Sequence, residues 1–204
     1  MIQLNIQVKR EGAAYMYKDL ENRIVETAYH MFKEKGYDHV TIQDICRELQ
    51  ITKPTFYSYI PSKDALLSTF YSRLEDDLNE QLIEMMAKDN YWEQILYGFE
   101  IILSHSQKFG PDLYSQLFIS NLKENKGTFR FIESLTKAMT FLIRKAQESH
   151  QIQNQSDPEK LYMACAKMSF GYGVIWCLEN GEGDLLEDFK TGLIQVLQVD
   201  PALL

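Results

Sequence analysis

Along most of this chain apolar residues recur every three or four positions, the spacing that gathers them on one face of an α-helix. From 19 to 35 that face is Ile24, Ala28, Met31 and Phe32, and Gly36 supplies a C-terminal stop. Residues 1–17 lack such a period, which predicts a flexible arm. From Ser62 to about Lys88 the residues Leu66, Phe70, Leu74, Leu78, Leu82 and Met85 predict one long helix. Further helices are predicted over 91–107, from Pro111 to near Lys126, over 128–149, over 157–178 and over 184–199, with Gly110-Pro111 breaking the chain between two of them. Ser149 to Ser156 is polar and reads as a surface loop. No segment alternates with the two-residue period of a strand. The class is therefore all-α, with about nine helices in total.

The densest pattern lies between Val40 and Leu67. Thr41 stands at an N-cap, and Asp44 three residues on can complete a capping box, so a short helix begins at Ile42 with Ile42, Ile45, Cys46 and Leu49 inward. Gln50-Ile51-Thr52 interrupts it. Thr52 is a second N-cap, and Pro54 falls in the first turn, where its missing N–H has no partner to lose. The second helix turns Phe56 and Tyr59 or Ile60 to the core. Pro61-Ser62 stops it, and Ser62 caps the helix opening with Lys63 and Asp64. Two short helices on a three-residue turn form a helix-turn-helix, whose second helix can enter a major groove.

Arg23-Ile24, Ala28, Phe32, Gly36, Thr41-Ile42, Ile45, Ile51-Thr52, Phe56 through Tyr59, and Ser62 through Leu66 together resemble the DNA-binding domain of the TetR family of bacterial regulators, over roughly residues 20–67. Two positions depart from the family: Gln50 stands where Gly is usual, and Ile60 where Phe is usual. Gln50 then adopts a left-handed conformation at a cost of ~1 kcal/mol, or the turn differs slightly. By this resemblance Thr41, Gln43, Thr52, Tyr57, Tyr59 and Lys63 fall at positions that contact DNA, Lys63 as a phosphate clamp, while Lys53 and Thr55 fall at positions that vary with the operator. The domains implied are an arm (1–17), a DNA-binding head (18–67) and a helical body for effector binding and dimerisation (68–204). The expected partners are a pseudo-palindromic duplex operator, a small apolar or amphipathic effector, and a second copy of the chain docked through the last two helices.

Charge sharpens this picture. The net charge of −8 is unevenly shared: residues 1–73 hold ten Lys/Arg against nine Asp/Glu, and the rest hold eleven against twenty. A weakly basic head on an acidic body orients the chain towards phosphate. Cys46, Cys165 and Cys177 lack paired spacing, so neither a disulfide framework nor a zinc site is suggested, and the cytoplasm fits best. The N-terminus does not read as a signal peptide, and no run approaches the ~18 apolar residues of a membrane span.

The body is rich in rings and thioethers. Phe99, Leu103, Tyr114, Phe118, Met139, Tyr162 and Trp176 are candidate effector-lining residues, with Glu100, Glu133 or His105 as polar contacts. Gly171-Tyr172-Gly173 follows no strand and lacks the third glycine of a dinucleotide fingerprint; with Ala164 it reads as a small-residue site of helix contact. His30, His39, His105 and His150 lack ligand spacing, and no nucleophile, base and orienter trio appears. Neither an enzyme, a metal site nor a cofactor is expected. The reading is a repressor released by its effector, with two rivals: control by a protein partner, or a helical ligand-binding protein whose head is vestigial.

Overall fold

In the computed structural model the backbone is described for residues 2–73 and 78–204, and the side chains for 18–72 and 80–204. Ten α-helices stand among the described residues: α1 (Ile2–Lys35), α2 (Ile42–Glu48), α3 (Lys53–Tyr59), α4 (Lys63–Arg73), α5 (Leu78–Met86), α6 (Tyr91–Phe109), α7 (Pro111–Lys123), α8 (Glu133–Glu148), α9 (Pro158–Leu178) and α10 (Leu185–Leu197), followed by a 3-10 turn at Pro201–Leu203.

The head is α1 to α4. Ile24, Ala28 and Phe32 of α1 close over Ile45, Phe56 and Ile60, all buried. The expected caps are present. Thr41 and Asp44 form the reciprocal box, and the Thr52 hydroxyl accepts from the Thr55 amide. Gln50 is left-handed at φ 56°, and Gly36 at φ 82° ends α1.

Three expectations need correction, and one more falls partly outside the described residues. The arm over 1–17 is helical, because Ile2 to Lys35 includes no proline and one glycine, so nothing stops α1 from propagating towards the terminus. Of the single helix expected over 62–88, the described residues show α4 and α5 on either side of 74–77, which lie outside the described residues. The helix expected from 128 begins only at Glu133. Ile132 is extended (φ −74°, ψ 121°) and makes no side-chain cap, and residues 124–132 cross the body as a loop pinned by Phe129 and Phe131. The polar segment 149–156 is also firmer than expected: Ile152 is fully buried and bridges Val199, and the Gln147 amide donates to the carbonyls of Asn154 and Ser156.

In the body, α9 packs against α6, α7, α8 and α10. By length and composition α9 could cross a membrane, yet Leu161, Tyr162, Cys165, Ala166 and Trp176 are buried among these neighbours. Gly173 lets α9 approach α7 closely, since a Cβ there would lie 2.8 Å from Tyr114 Cε1. Head and body meet at α4 and α7. The Tyr37 N–H donates to Asp112 Oδ2 (3.0 Å), the Tyr37 hydroxyl to Asp64 Oδ1 (2.6 Å), and the Tyr29 hydroxyl to the Lys108 carbonyl (3.0 Å).

Candidate nucleic-acid interface and ligand cavity

The eight residues expected to meet DNA gather on the N-terminal end of α2, on α3 and at the start of α4. Thr41, Gln43, Thr52, Lys53 and Tyr57 are exposed, whereas Thr55, Tyr59 and Lys63 are half-buried. Phe56 roots α3 in the core, and its neighbour Tyr57 stands edge-on to that ring with half its surface in solvent. This pairing of a buried anchor with an exposed ring fixes α3 while presenting a phenol outward. Both cap hydroxyls are already engaged: Thr41 Oγ1 donates to Asp44 Oδ2 (2.6 Å), and Thr52 Oγ1 lies 2.8 Å from Thr55 Oγ1. The hydrogen bonds from Thr41 hold the Asp44 carboxyl below the usual carboxylate range, with Arg47 paired beside it. Arg47, an exposed cation on α2, had no distinguishing sequence signal.

Lys63 is turned towards the head. Its Nζ donates to the Tyr37 carbonyl (2.5 Å) and lies 3.9 Å from the centre of the Tyr37 ring. Desolvation lowers its pKa, opposed by Asp38, Asp64 and Asp112. An ammonium has three donors, so this bond does not exhaust it. Beside it the Tyr37 hydrogen bond holds the Asp64 carboxyl low, and Lys126 Nζ stands 3.8 Å from Asp64 Oδ2 and 2.8 Å from Ser120 Oγ. Lys126 belongs to the loop between α7 and α8.

That loop also roofs a cavity of about 70 Å³ in the body. Thr128, Phe129, Arg130, Phe131 and Ile132 form the roof; Ile101, Ile102 and His105 of α6 form one wall, and Tyr162, Ala166, Ser169 and Phe170 of α9 another. Tyr71 of α4 completes the lining, so the helix that carries Lys63 also borders the cavity. The rings touch: Phe129 meets Phe170 edge-on at 5.5 Å and stacks on Phe118 at 4.6 Å.

Of the seven residues expected to line an effector site, only Tyr162 borders this cavity. Phe118 borders a separate surface cleft. Phe99 packs on Tyr162 and Phe189, Leu103 and Met139 are core, Tyr114 is fully buried between Phe118 and Tyr71, and Trp176 backs Gly181. His105, expected as a polar contact, does border the cavity, whereas Glu100 and Glu133 do not. Phe129, Arg130 and Phe131 were the missed residues; their signal was the Gly127-Thr128 pair, a turn ahead of the α8 pattern.

The architecture is a helix-turn-helix head, α1 to α4, carried on a helical body, α5 to α10. Residues 24–69 match the family described as "Bacterial regulatory proteins, tetR family", so the head is similar to the DNA-binding domain of that family. It is 34% identical over 93 residues to the "Uncharacterized HTH-type transcriptional regulator YuxN" of Bacillus subtilis, over 43% of this chain and 32% of that protein. It is 26% identical over 135 residues to the "Biofilm operon icaADBC HTH-type negative transcriptional regulator IcaR" of Staphylococcus aureus, over 65% of this chain and 72% of that one. The chain thus spans about a third of the length of the first of these relatives. In fold it is similar to Thermus thermophilus FadR, a TetR family transcriptional repressor solved in complex with lauroyl-CoA, with a TM-score of 0.64 at 19% identity over 87% of this chain and 93% of that one.

Proposed function

We propose that this chain is a homodimeric cytoplasmic repressor that binds a pseudo-palindromic operator and leaves it when a small, largely apolar effector enters the body. The observation that carries the reading is α4. Lys63 at its start sits in the head and Tyr71, eight residues on, borders the cavity, a separation of ~12 Å along one rigid helix. An effector that shifts Tyr71 shifts the head. Thr41, Gln43, Thr52, Tyr57, Tyr59 and Lys63 position the duplex, with Lys63 meeting phosphate, and Lys53 and Thr55 read bases. Dimerisation is supported by the outer side of α9, where Ala164, Gly171, Ile175 and Leu178 are exposed at helical spacing and Ile175 and Leu178 are 53% and 73% accessible.

The volume of about 70 Å³ is the observation that favours a second reading, control by a protein partner, because drug-sized ligands occupy ~300–1,000 Å³. Effector entry therefore requires the 124–132 loop to lift. The test is selection of bound duplexes from a random pool, followed by titration with apolar and aromatic compounds. The expected result is an inverted repeat with half-sites about one helical turn, ~34–36 Å, apart, bound by a dimer and released by some of the compounds. Lys53→Ala should change the bases preferred by ~1–3 kcal/mol per lost contact. Binding without sequence preference would overturn the reading, and release by protein extract alone would favour the partner.

A further inference from the structure

Resting on the effector reading above, we infer that the cavity takes a planar apolar molecule bearing one carboxylate, and that Arg130 reads the carboxylate. The chamber is built from rings: Phe129, Phe131 and Phe170 line it together with Tyr162 and Tyr71. These surfaces suit a flat hydrocarbon, by stacking and edge contacts. Among the described residues of the lining the polar groups are few, and none is Asp or Glu. That is notable because residues 74–204 hold nearly twice as many acids as bases.

Among the described residues of the lining Arg130 is the one permanent cation. It is exposed, makes no ion pair among the described residues, and borders two neighbouring clefts as well as the chamber. A guanidinium offers paired donors that match a carboxylate bidentately. The position also orders entry. Arg130 lies directly beside Phe129, and its amide donates to the Gly127 carbonyl (3.2 Å) in the turn that carries the roof. A ligand drawn in by its anion is thereby brought to the residue whose neighbour must move aside. A neutral arene could fill the rings, but it would leave Arg130 with water as before.

The experiment uses the whole protein, 2-naphthoate and its neutral isostere 2-naphthamide, with affinities measured by calorimetry for wild type, Arg130→Gln and Arg130→Lys. Wild type should bind naphthoate at least tenfold more tightly than the amide. Arg130→Gln should remove that preference while leaving amide affinity unchanged, and Arg130→Lys should restore part of it. Because Arg130 is exposed, the variants keep the fold, which circular dichroism checks. Equal affinity of wild type for the two probes, or a preference that survives Arg130→Gln, overturns the acid inference and leaves the aromatic cavity standing. Failure of both probes to bind wild type overturns this inference and the effector cavity together.

Discussion

Replacing Tyr37 by Phe isolates the hydrogen bond that joins the end of α1 to the start of α4. The variant keeps the ring under the Lys63 ammonium and the N–H bond to Asp112; only the 2.6 Å bond from the hydroxyl to Asp64 Oδ1 is lost. A hydrogen bond to a charged group is worth ~1.5–3 kcal/mol, and the Asp64 side chain is 45% exposed, so water replaces part of it. The expected loss is ~1–1.5 kcal/mol at pH 7, or ~2–6 °C in melting temperature for a chain of this size. The sign with pH is fixed. Asp64 titrates in the fold below its unfolded value of ~3.9, chiefly through this bond, so the stabilisation is full above that value and lost as pH falls through the folded pKa. Tyr37 is raised by burial and by Asp64, so its contribution is full below its unfolded value of ~10 and is lost as pH rises beyond it. Urea unfolding of wild type and Tyr37→Phe at pH 7, 5 and 3 measures the difference directly. It should be constant from pH 7 to 5 and shrink by pH 3. A difference of equal size at pH 3 and pH 7, or none at pH 7, would refute the assignment of the bond to a charged Asp64.

Three further substitutions test separate parts of the fold. Gln50→Gly relieves a left-handed residue costing ~1–2 kcal/mol but loosens the unfolded chain by ~0.4–1, so a gain of ~0.5–1 kcal/mol in urea stability is expected, and a loss would show that the Gln50 side chain contributes. Gly173→Ala sets a methyl 2.8 Å from the buried Tyr114 ring and should destabilise by ~1–3 kcal/mol, whereas Gly171→Ala, with nothing within 4 Å, should be nearly neutral in the monomer. Leu178→Glu, at an exposed position on α9, should leave the monomer folded but abolish dimers in sedimentation and operator binding with them; intact dimers would place the interface elsewhere.

The head was legible because its signals are local. Thr41, Thr52, Pro54 and Gly36 act within a turn of where they stand, and the left-handed Gln50 was one of the two outcomes open at a turn position where the resembled family has glycine. The roof of the cavity was not. Phe131, Leu135, Met139 and Leu142 keep a helical period across the true start of α8, so periodicity alone cannot separate an apolar residue anchoring a loop from one on a helix face. Most of the residues expected to line an effector site lie away from this cavity for a related reason. Large rings such as Phe99 and Tyr114 were chosen by type, but type does not tell core from cavity wall; that depends on which loop folds over which helices. Ile152 repeats the lesson, since one apolar side chain in a polar run was enough to pin the 149–156 segment to the C-terminal strand-like bridge.

If an effector releases the operator, the strengths of the links between roof and head decide its route. Two run through the loop: Lys126 to Asp64 at 3.8 Å, with Asp64 nearly half exposed, and Ser68 Oγ to Thr128 Oγ1 at 3.4 Å. An exposed ion pair is worth ~0–1 kcal/mol and a long neutral hydrogen bond less, so together they carry about 1 kcal/mol, below the 1.4 that makes a tenfold change in affinity. The third link is Tyr71, whose ring borders the cavity and packs on Phe109 at 5.9 Å and Tyr114 at 6.2 Å, so a ligand that displaces it must move α4 within a close-packed core. Contacts of this kind are worth ~0.5–1.5 kcal/mol per ring pair beyond their burial, enough for a coupling of ~1–3 kcal/mol and a ~5–150-fold loss of operator affinity. Lys126→Ala should therefore reduce effector-driven release by less than about tenfold, while Tyr71→Leu should remove most of it with effector affinity changed less. By linkage the operator must weaken effector binding by the same factor in each variant. Full release surviving in Tyr71→Leu would shift the route back to the loop.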